Sequence, residues 1–392
     1  MTQVTIIGCD LHDRSMLLKI ALGADDPHEK SFSNNSKGRG QMLEHLIAFA
    51  QQHGSERMVF VYEASGQGFG LYDLLTDRGI ECHVLSPTHL PKTAKSKRNK
   101  TDAKDAQMLL EIARAHVLAG NAMPTVWIPP QRVRDDRELV RTRLQTGEAI
   151  TQVKLQTLAL LKRQHLATPE WFDKHHNWTK AFVAWLKKDA ADQLDPTARV
   201  SLTVYIERYE LFQRQSTDLE RELRQLAKQP RYKAAYKKLR SMRGVGLITA
   251  MTFLTELGDL TRFNNRRELG AYLGVCPSSF ESGESNDRKG RITRQGPSRL
   301  RKVLNQASWA AVRYDEETKA RWARIKGKGK HRGKKAIVAI MRQLGIRMWH
   351  AAASMGVSSE LMQKPRPAPC WTLAPAQPKG ESLSSRHRHG PQ

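Results

Sequence analysis

Apolar positions in the first third of the chain come in short runs separated by amphipathic stretches. "VTIIGC" and "SMLLKIAL" have the length of strands, with the turn-like "DLHDR" between them. "KGRGQMLEHLIAFAQQHG" carries the helical period and stops at Gly54. "RMVFVYE" predicts a buried strand, "GFGLYDLLTDRG" a helix and "IECHVLS" another strand. A basic loop, Pro87 to Lys100, comes next. Ala106, Leu109, Leu110 and Ala113 then fall on one helical face, with Thr101 placed to cap it. Alternating strands and helices predict a mixed α/β unit over residues 1–128, closed by "WIPP" at Trp127 to Pro130.

From 131 to 229 the pattern turns helical and highly charged. Leu219, Leu223 and Leu226 keep helical spacing, with Phe212 one heptad earlier, which predicts a helical-hairpin or coiled-coil spacer. Within it, Trp171, Trp178 and Trp185 recur every seventh residue, as on a helix face packed into a local core. Residues 236–355 form a third, mostly helical unit. Beyond 362 the chain is rich in Pro, Ser and basic residues, a composition expected of a disordered tail.

With 392 residues the chain has room for two or three cores. Lys and Arg number 65 against 39 acids, a net charge of +26, which points to nucleic acid as partner. The longest apolar run, around "VGLITAMTFL", falls short of the ~20 residues of a membrane span. "MTQVTIIGCD" reads as a strand rather than a signal peptide. Cys9, Cys82, Cys276 and Cys370 are scattered without a CxxC pair, so we expect reduced thiols, no zinc site among them, and a cytoplasmic, nucleoid-associated protein.

Chemistry enters through four acids. Asp10 and Glu63 close two strands, at the sheet edge where functional groups converge in α/β proteins. Asp102 and Asp105, in "SKRNKTDAKDAQMLLE", stand three apart and share a helix face. First-turn acids are also favoured by the helix dipole alone, so this pair has a purely structural reading. Four gathered carboxylates raise one another's pKa unless a cation offsets them, and magnesium suits such oxygens. Two ions about 4 Å apart can clamp the attacking and leaving oxygens of a phosphoryl transfer. Asp13 reads as a turn residue, and Asp73 and Asp77 as solvent-facing. "SGQGFG" lacks the final glycine of a dinucleotide fingerprint and reads as a strand-to-helix turn.

The order strand Asp, strand-end Glu, DxxD resembles the active site of RuvC-like Holliday-junction resolvases. Together with "RNKTDAKDA" it resembles the N-terminal domain of the DEDD transposases of the insertion sequence 110 family, the bridge-RNA-guided recombinases. The resemblance implies a ribonuclease-H-like (RuvC-like) fold and a magnesium-binding tetrad of Asp10, Glu63, Asp102 and Asp105. Lys97, Arg98 and Lys100 would then hold phosphates. From Leu239 to Leu304 the sequence is similar to that family's C-terminal transposase domain, which includes "MRGVGLITA". "GVCPSSFESG" matches its G-x-x-P-x-x-x-x-S-G signature and places the nucleophilic serine at Ser282. Arg294 stands where the family commonly has lysine, and the 131–229 spacer matches only as charged helix.

Arg288, Lys289, Arg291, Arg294 and Arg299 crowd the residues after Ser282, and "RWARIKGKGKHRGKK" (321–335) carries eight cations and no acid. Such cations grip phosphate without reading sequence. The implied function is an RNA-guided DNA recombinase acting through a 5′-phosphoserine DNA intermediate. Its implied partners are a structured guide (bridge) RNA and donor and target DNA, and its implied form a homo-tetramer, a dimer of dimers. Two rivals remain: a metal-dependent nuclease or junction resolvase in which water attacks, and a non-catalytic RNA-binding protein.

Overall fold

The computed structural model describes residues 3–90, 101–174, 176–282, 285–329 and 332–355, and within 279–289 the backbone alone. The described chain divides into two compact units, up to Ile128 and from Pro129 onward.

In the first unit a sheet of five strands is ordered β3-β2-β1-β4-β5. The strands are β1 (Val4–Leu11), β2 (Ser15–Leu22), β3 (His28–Ser33), β4 (Arg57–Glu63) and β5 (Glu81–Leu85), with helices α1 (Ser36–Gln52), α2 (Gly70–Asp77) and α3 (Asp102–Ala119). β1 to β3 form an antiparallel meander, while β4 and β5 continue parallel to β1. β3 has no counterpart in the hydrophobic pattern. It is an edge strand, "HEKSFS", exposed at five of six positions, so it needs no apolar face.

The pleat sorts side chains between two cores. Ile7, Cys9, Met58, Phe60 and Tyr62 face α1 and α2, where Met42, Leu46, Leu71 and Leu75 cover them. Ile6, Val59, Val61 and Leu85 face the other way and are covered by Leu109, Leu110 and Ala113 of α3. Gly8 lies on this second face. A Cβ there would meet Ala106 O at 2.3 Å and Leu110 N at 2.4 Å, so α3 rests with its backbone directly on β1.

The second unit is largely helical. α4 (Gln131–Arg163) and α7 (Pro196–Lys228), each of 33 residues, run antiparallel as a hairpin. Arg143 binds Glu220 at 2.6 Å near its root, and Leu160 and Leu161 meet Leu202 and Ile206 near its tip. Between them lie α5 (Glu170–Asp173), α6 (Lys180–Trp185) and a π-helical turn, Leu186–Ala190. The three spaced tryptophans are not one helix face. α5 and α6 are separate, and His176, at φ 49°, lies between them. The local core is built on Phe172 and Phe182, stacked at 3.7 Å, with Trp178 and Trp185 against Phe182, while Trp171 remains half exposed.

α8 (Pro230–Arg240), α9 (Leu247–Leu257), α10 (Arg266–Tyr272), α11 (Ser298–Tyr314), α12 (Glu316–Lys326) and α13 (Gly333–Ala353) complete the unit, with a hairpin of β6 (Pro277–Ser282) and β7 (Ser285–Ile292). Every residue from Thr249 to Leu257 of α9 is buried, and Val140, Leu223 and Leu226 from the long hairpin's root join the same core. The "RGVG" turn before α9 sits at φ 83° at Gly244, where a Cβ would meet Ala307 O at 2.4 Å. Close packing on α11 explains that glycine. Among the described residues no helix is long and apolar enough to cross a membrane.

Two buried ion pairs tie α4 into this core. Glu256 takes both oxygens to Arg141 at 2.8 and 3.0 Å, and Asp136 binds Arg231 at 2.9 and 2.8 Å and the Tyr232 hydroxyl at 2.8 Å. We expect Glu256→Ala to cost about 3–5 kcal/mol in urea unfolding, because it strands a half-buried guanidinium. Arg141→Met with Glu256→Leu should recover most of that loss. A single-variant cost below about 1 kcal/mol would contradict the pair's role.

Candidate active site

Asp10 is the penultimate residue of β1, two positions beyond Gly8 and on the same face. β1 and β4 are in parallel register with Cys9 opposite Tyr62, so Asp10 and Glu63 follow one residue later on adjacent strands. Both therefore belong to the face that α3 covers. Because α3 lies backbone-to-backbone on Gly8, its first turn, with Asp102 and Asp105, comes down over that end of the strands.

The result is a cluster. Asp10, His12 and Asp102 each bring a ligand atom within 4.8 Å of the others. His12 Nε2 lies 3.0 Å from Asp10 Oδ2 and 3.4 Å from Asp102 Oδ1. Burial holds the Asp10 carboxyl above its ordinary pKa, the Asp102 and Asp105 carboxylates add to this, and His12 opposes it. Burial pulls the His12 imidazole down, but Asp10 and Asp102 outweigh it and hold the ring above its usual value. Glu63 and Asp105 contribute no atom to the 4.8 Å group. Asp105 is close enough to act on Asp10 electrostatically, and Glu63 is placed by register.

A second layer fixes the turn bearing His12. Asn34 Nδ2 donates to the His12 carbonyl at 2.7 Å and to Gln67 Oε1 at 2.6 Å, while Arg39 Nε donates to Asn34 Oδ1 at 2.8 Å. Asn34 thus joins the β1–β2 turn to the glycine-rich loop after Glu63. Over Gly66 and Gly68 of that loop a Cβ would meet nothing within 4 Å.

In the second unit, Ser282 ends β6 and pairs with Ser285, the first residue of β7. Phe280 pairs with Arg288 and Ser279 with Lys289, with irregular register on either side of this stretch. The serine signature is therefore carried on a β-hairpin within the helical unit. Ser278 Oγ donates to the Arg291 carbonyl at 3.1 Å, which gives that serine a local structural role. Arg294 follows β7 with an exposed side chain and φ 55°, a backbone region uncommon for a non-glycine residue. Arg301 caps nearby carbonyls, donating to Gly296 O at 2.7 Å, and Arg299 is half-buried on the same helix.

Two family models match this chain in sequence. The DEDD transposase model of the IS110 group covers residues 7–166, and the model described as "Transposase IS116/IS110/IS902 family" covers residues 236–323. The chain belongs to the IS110 family of transposases. It is similar to "Putative transposase y4qE" of Sinorhizobium fredii, 31% identical over 65% of this chain and 58% of that protein. It is also similar to the transposase for insertion sequence element IS1111A of Coxiella burnetii, 26% identical over 65% of this chain and 66% of that one. Similarity extends to the pilin gene-inverting protein of Moraxella bovis, 24% identical over 80% and 85%. The chain thus spans somewhat under two thirds of the length of the first two relatives.

Within this IS110-family chain the residue that sequence reasoning missed is His12. Its signal was the Asp-x-His spacing at a strand end, which returns to the same face as Asp10. Lys97, Arg98 and Lys100 lie outside the described residues, and of Arg288 and Lys289 only the backbone is described. Apart from His12, the donors of the acidic cluster are carboxylate oxygens, which suit a hard divalent cation, and the space between Asp10 and Asp102 is one where positive charge is favoured, since His12 fills it and is held toward its charged form.

Proposed function

We propose that this chain is a DNA recombinase that excises and inserts its own insertion sequence, with sequence choice delegated to a structured guide RNA. Membership of the family supports the reading, and the observation that carries it is the convergence of Asp10 and Asp102 at the end of β1, under His12 and beside Asp105. The strand order β3-β2-β1-β4-β5, with the first three antiparallel and the rest parallel, supports a ribonuclease-H-like (RuvC-like) assignment for the first unit.

On this reading Asp10, Glu63, Asp102 and Asp105 hold magnesium, which when bound supplies positive charge to a transferring phosphoryl group. The Ser282 hydroxyl attacks a DNA phosphodiester. An Oγ–P bond forms, the bond from phosphorus to the 3′ oxygen breaks, and a 3′-hydroxyl leaves with a proton matching the one the serine loses. The 5′-phosphate stays on the protein, so reversal by a new 3′-hydroxyl rejoins DNA without ATP. Arg288, Lys289, Arg291, Arg294 and Arg299 follow Ser282 closely enough in sequence to hold the phosphates on either side. Guide RNA, donor and target DNA and a tetrameric active form complete the reading.

Asp105→Asn tests the metal half. It removes one carboxylate charge and leaves every cation in place, so strand cleavage should fall to background while RNA affinity stays within about twofold. Cleavage of wild-type protein should likewise stop in EDTA and return with Mg2+. Full recombination by Asp105→Asn, or undiminished cleavage in EDTA, would sink the acidic site as the catalytic centre.

A further inference from the structure

The geometry points to a second divalent-metal site, of transition-metal character, made by Glu81, His83 and His116. It is independent of the recombinase reading. Glu81 and His83 stand two apart on β5, the edge strand, and so share the face that α3 covers. His116 lies in the last turn of α3. One ligand atom from each falls within 4.8 Å of the other two, and all three residues are half-buried. Asp102 and His116 are 14 positions apart on one helix, about 21 Å at 1.5 Å per residue, so this group is distinct from the acidic cluster.

The surroundings prepare each donor. His116 Nδ1 is 2.7 Å from the Asn121 carbonyl oxygen. A carbonyl only accepts, so Nδ1 carries the hydrogen and the neutral ring presents the lone pair of Nε2. This outer hydrogen bond is the kind that fixes the tautomer of metal-binding histidines. Arg57 Nε and Nη2 lie 2.8 and 2.7 Å from Glu81 Oε2, which leaves Oε1 directed to His83 Nε2 at 2.8 Å. The bond from His83, with help from Arg57, holds the Glu81 carboxyl down to about 2, which favours its ionised form.

Two imidazoles and one carboxylate form a set that favours zinc, copper or nickel, whereas magnesium prefers oxygen alone. Zinc takes such donors at about 2.0–2.1 Å, so the three side chains close in slightly around it, with water completing the shell. On binding, His83 Nε2 gives up the hydrogen it shares with Glu81, and the ring passes to its Nδ1–H tautomer. The bound ion clips the C-terminal turn of α3 to the sheet edge, and α3 is the helix that presents Asp102 and Asp105 at its other end.

The experiment uses the full chain, stripped with EDTA and dialysed against Zn2+ in excess Mg2+, with bound zinc counted by elemental analysis. Co2+ is loaded in parallel and its ligand-field bands recorded. Wild type should retain a zinc that excess Mg2+ does not displace, and Co2+ should show the intense visible bands of a four-coordinate imidazole site. His83→Ala and His116→Ala should each weaken retention about 100-fold or more, and Asp102→Asn should retain it. If an alanine variant melts early without metal, His83→Gln serves in its place. No retained zinc in wild type, or retention unchanged in both histidine variants, overturns the site.

Discussion

Ser282→Ala is expected to bind guide RNA and DNA as wild type does and to form no covalent DNA adduct. A serine hydroxyl is a weak nucleophile at neutral pH, and on the proposed mechanism its removal takes away the atom that would be joined to the 5′-phosphate. The substitution leaves the β6 backbone able to pair with Ser285, so the hairpin is preserved. Ser278→Ala should still form the adduct, because that hydroxyl is engaged with the Arg291 carbonyl, and Ser279→Ala should also retain it. A denaturing gel of labelled target DNA reads the outcome, and peptide mapping of the shifted band assigns the linked residue. Loss of adduct to Ser282→Ala alone supports the recombinase. Cleavage that persists undiminished in Ser282→Ala would assign attack to water and the protein to the nuclease class. An adduct mapped elsewhere would move the nucleophile. Binding that survives loss of both serine and acidic chemistry, in a wild type that never cuts, would leave only the RNA-binding rival.

The second large effect is expected at a residue with no chemistry of its own. Gly8→Ala places a methyl group 2.3 Å from Ala106 O and 2.4 Å from Leu110 N, and both are helix backbone. Neither can turn aside as a side-chain tip would, so α3 must lift or tilt. Overpacking of this kind costs about 1–3 kcal/mol and sometimes more, and a rigid backbone neighbour puts Gly8 at the upper end. The gain from replacing a strand glycine, about 0.5–1 kcal/mol, is too small to offset it. Asp102 and Asp105 ride on the displaced helix. Movement of reacting groups by about 1 Å can cost about 100-fold in rate, so cleavage should fall by that factor even where the protein stays folded. Denaturant unfolding and single-turnover cleavage check the two halves. Wild-type stability together with wild-type cleavage in Gly8→Ala would refute the close approach of α3 to β1.

What could be read in advance followed burial. The face of α3 was legible because Ala106, Leu109, Leu110 and Ala113 must be covered, and these are the helix's buried residues. β1, β2, β4 and β5 were legible for the same reason. β3 was not, since an edge strand can be polar, and neither was the β6–β7 hairpin, whose "PSSFES" and "SNDRKGRI" offer no apolar alternation. The tryptophan heptad misled because spacing by seven requires an unbroken helix, and α5 ends at Asp173 while α6 begins at Lys180. At the site, the acids were found by their positions at strand ends and on one helix face. His12 escaped because the Asp-x-His spacing gives only its face, and its reach to Asp102 goes with the turn that Asn34 holds, a contact across 22 residues.

The pleat of β1 also bears on how this sequence can change over generations. Cys9 and Asp10 are neighbours in the chain but look into opposite halves of the unit, one into packed hydrocarbon and the other toward the charged cluster. A codon gained or lost between Val4 and Asp10 would exchange these assignments at a stroke, seating a carboxylate among Phe60, Tyr62 and Met42 and turning a thiol toward Asp102. Point substitutions other than at Gly8 and Asp10 can be absorbed here one at a time. Length changes cannot, so insertions and deletions in descendants of this gene should accumulate in connecting segments such as the stretch between β2 and β3, and leave the spacing from Gly8 to Asp10 intact.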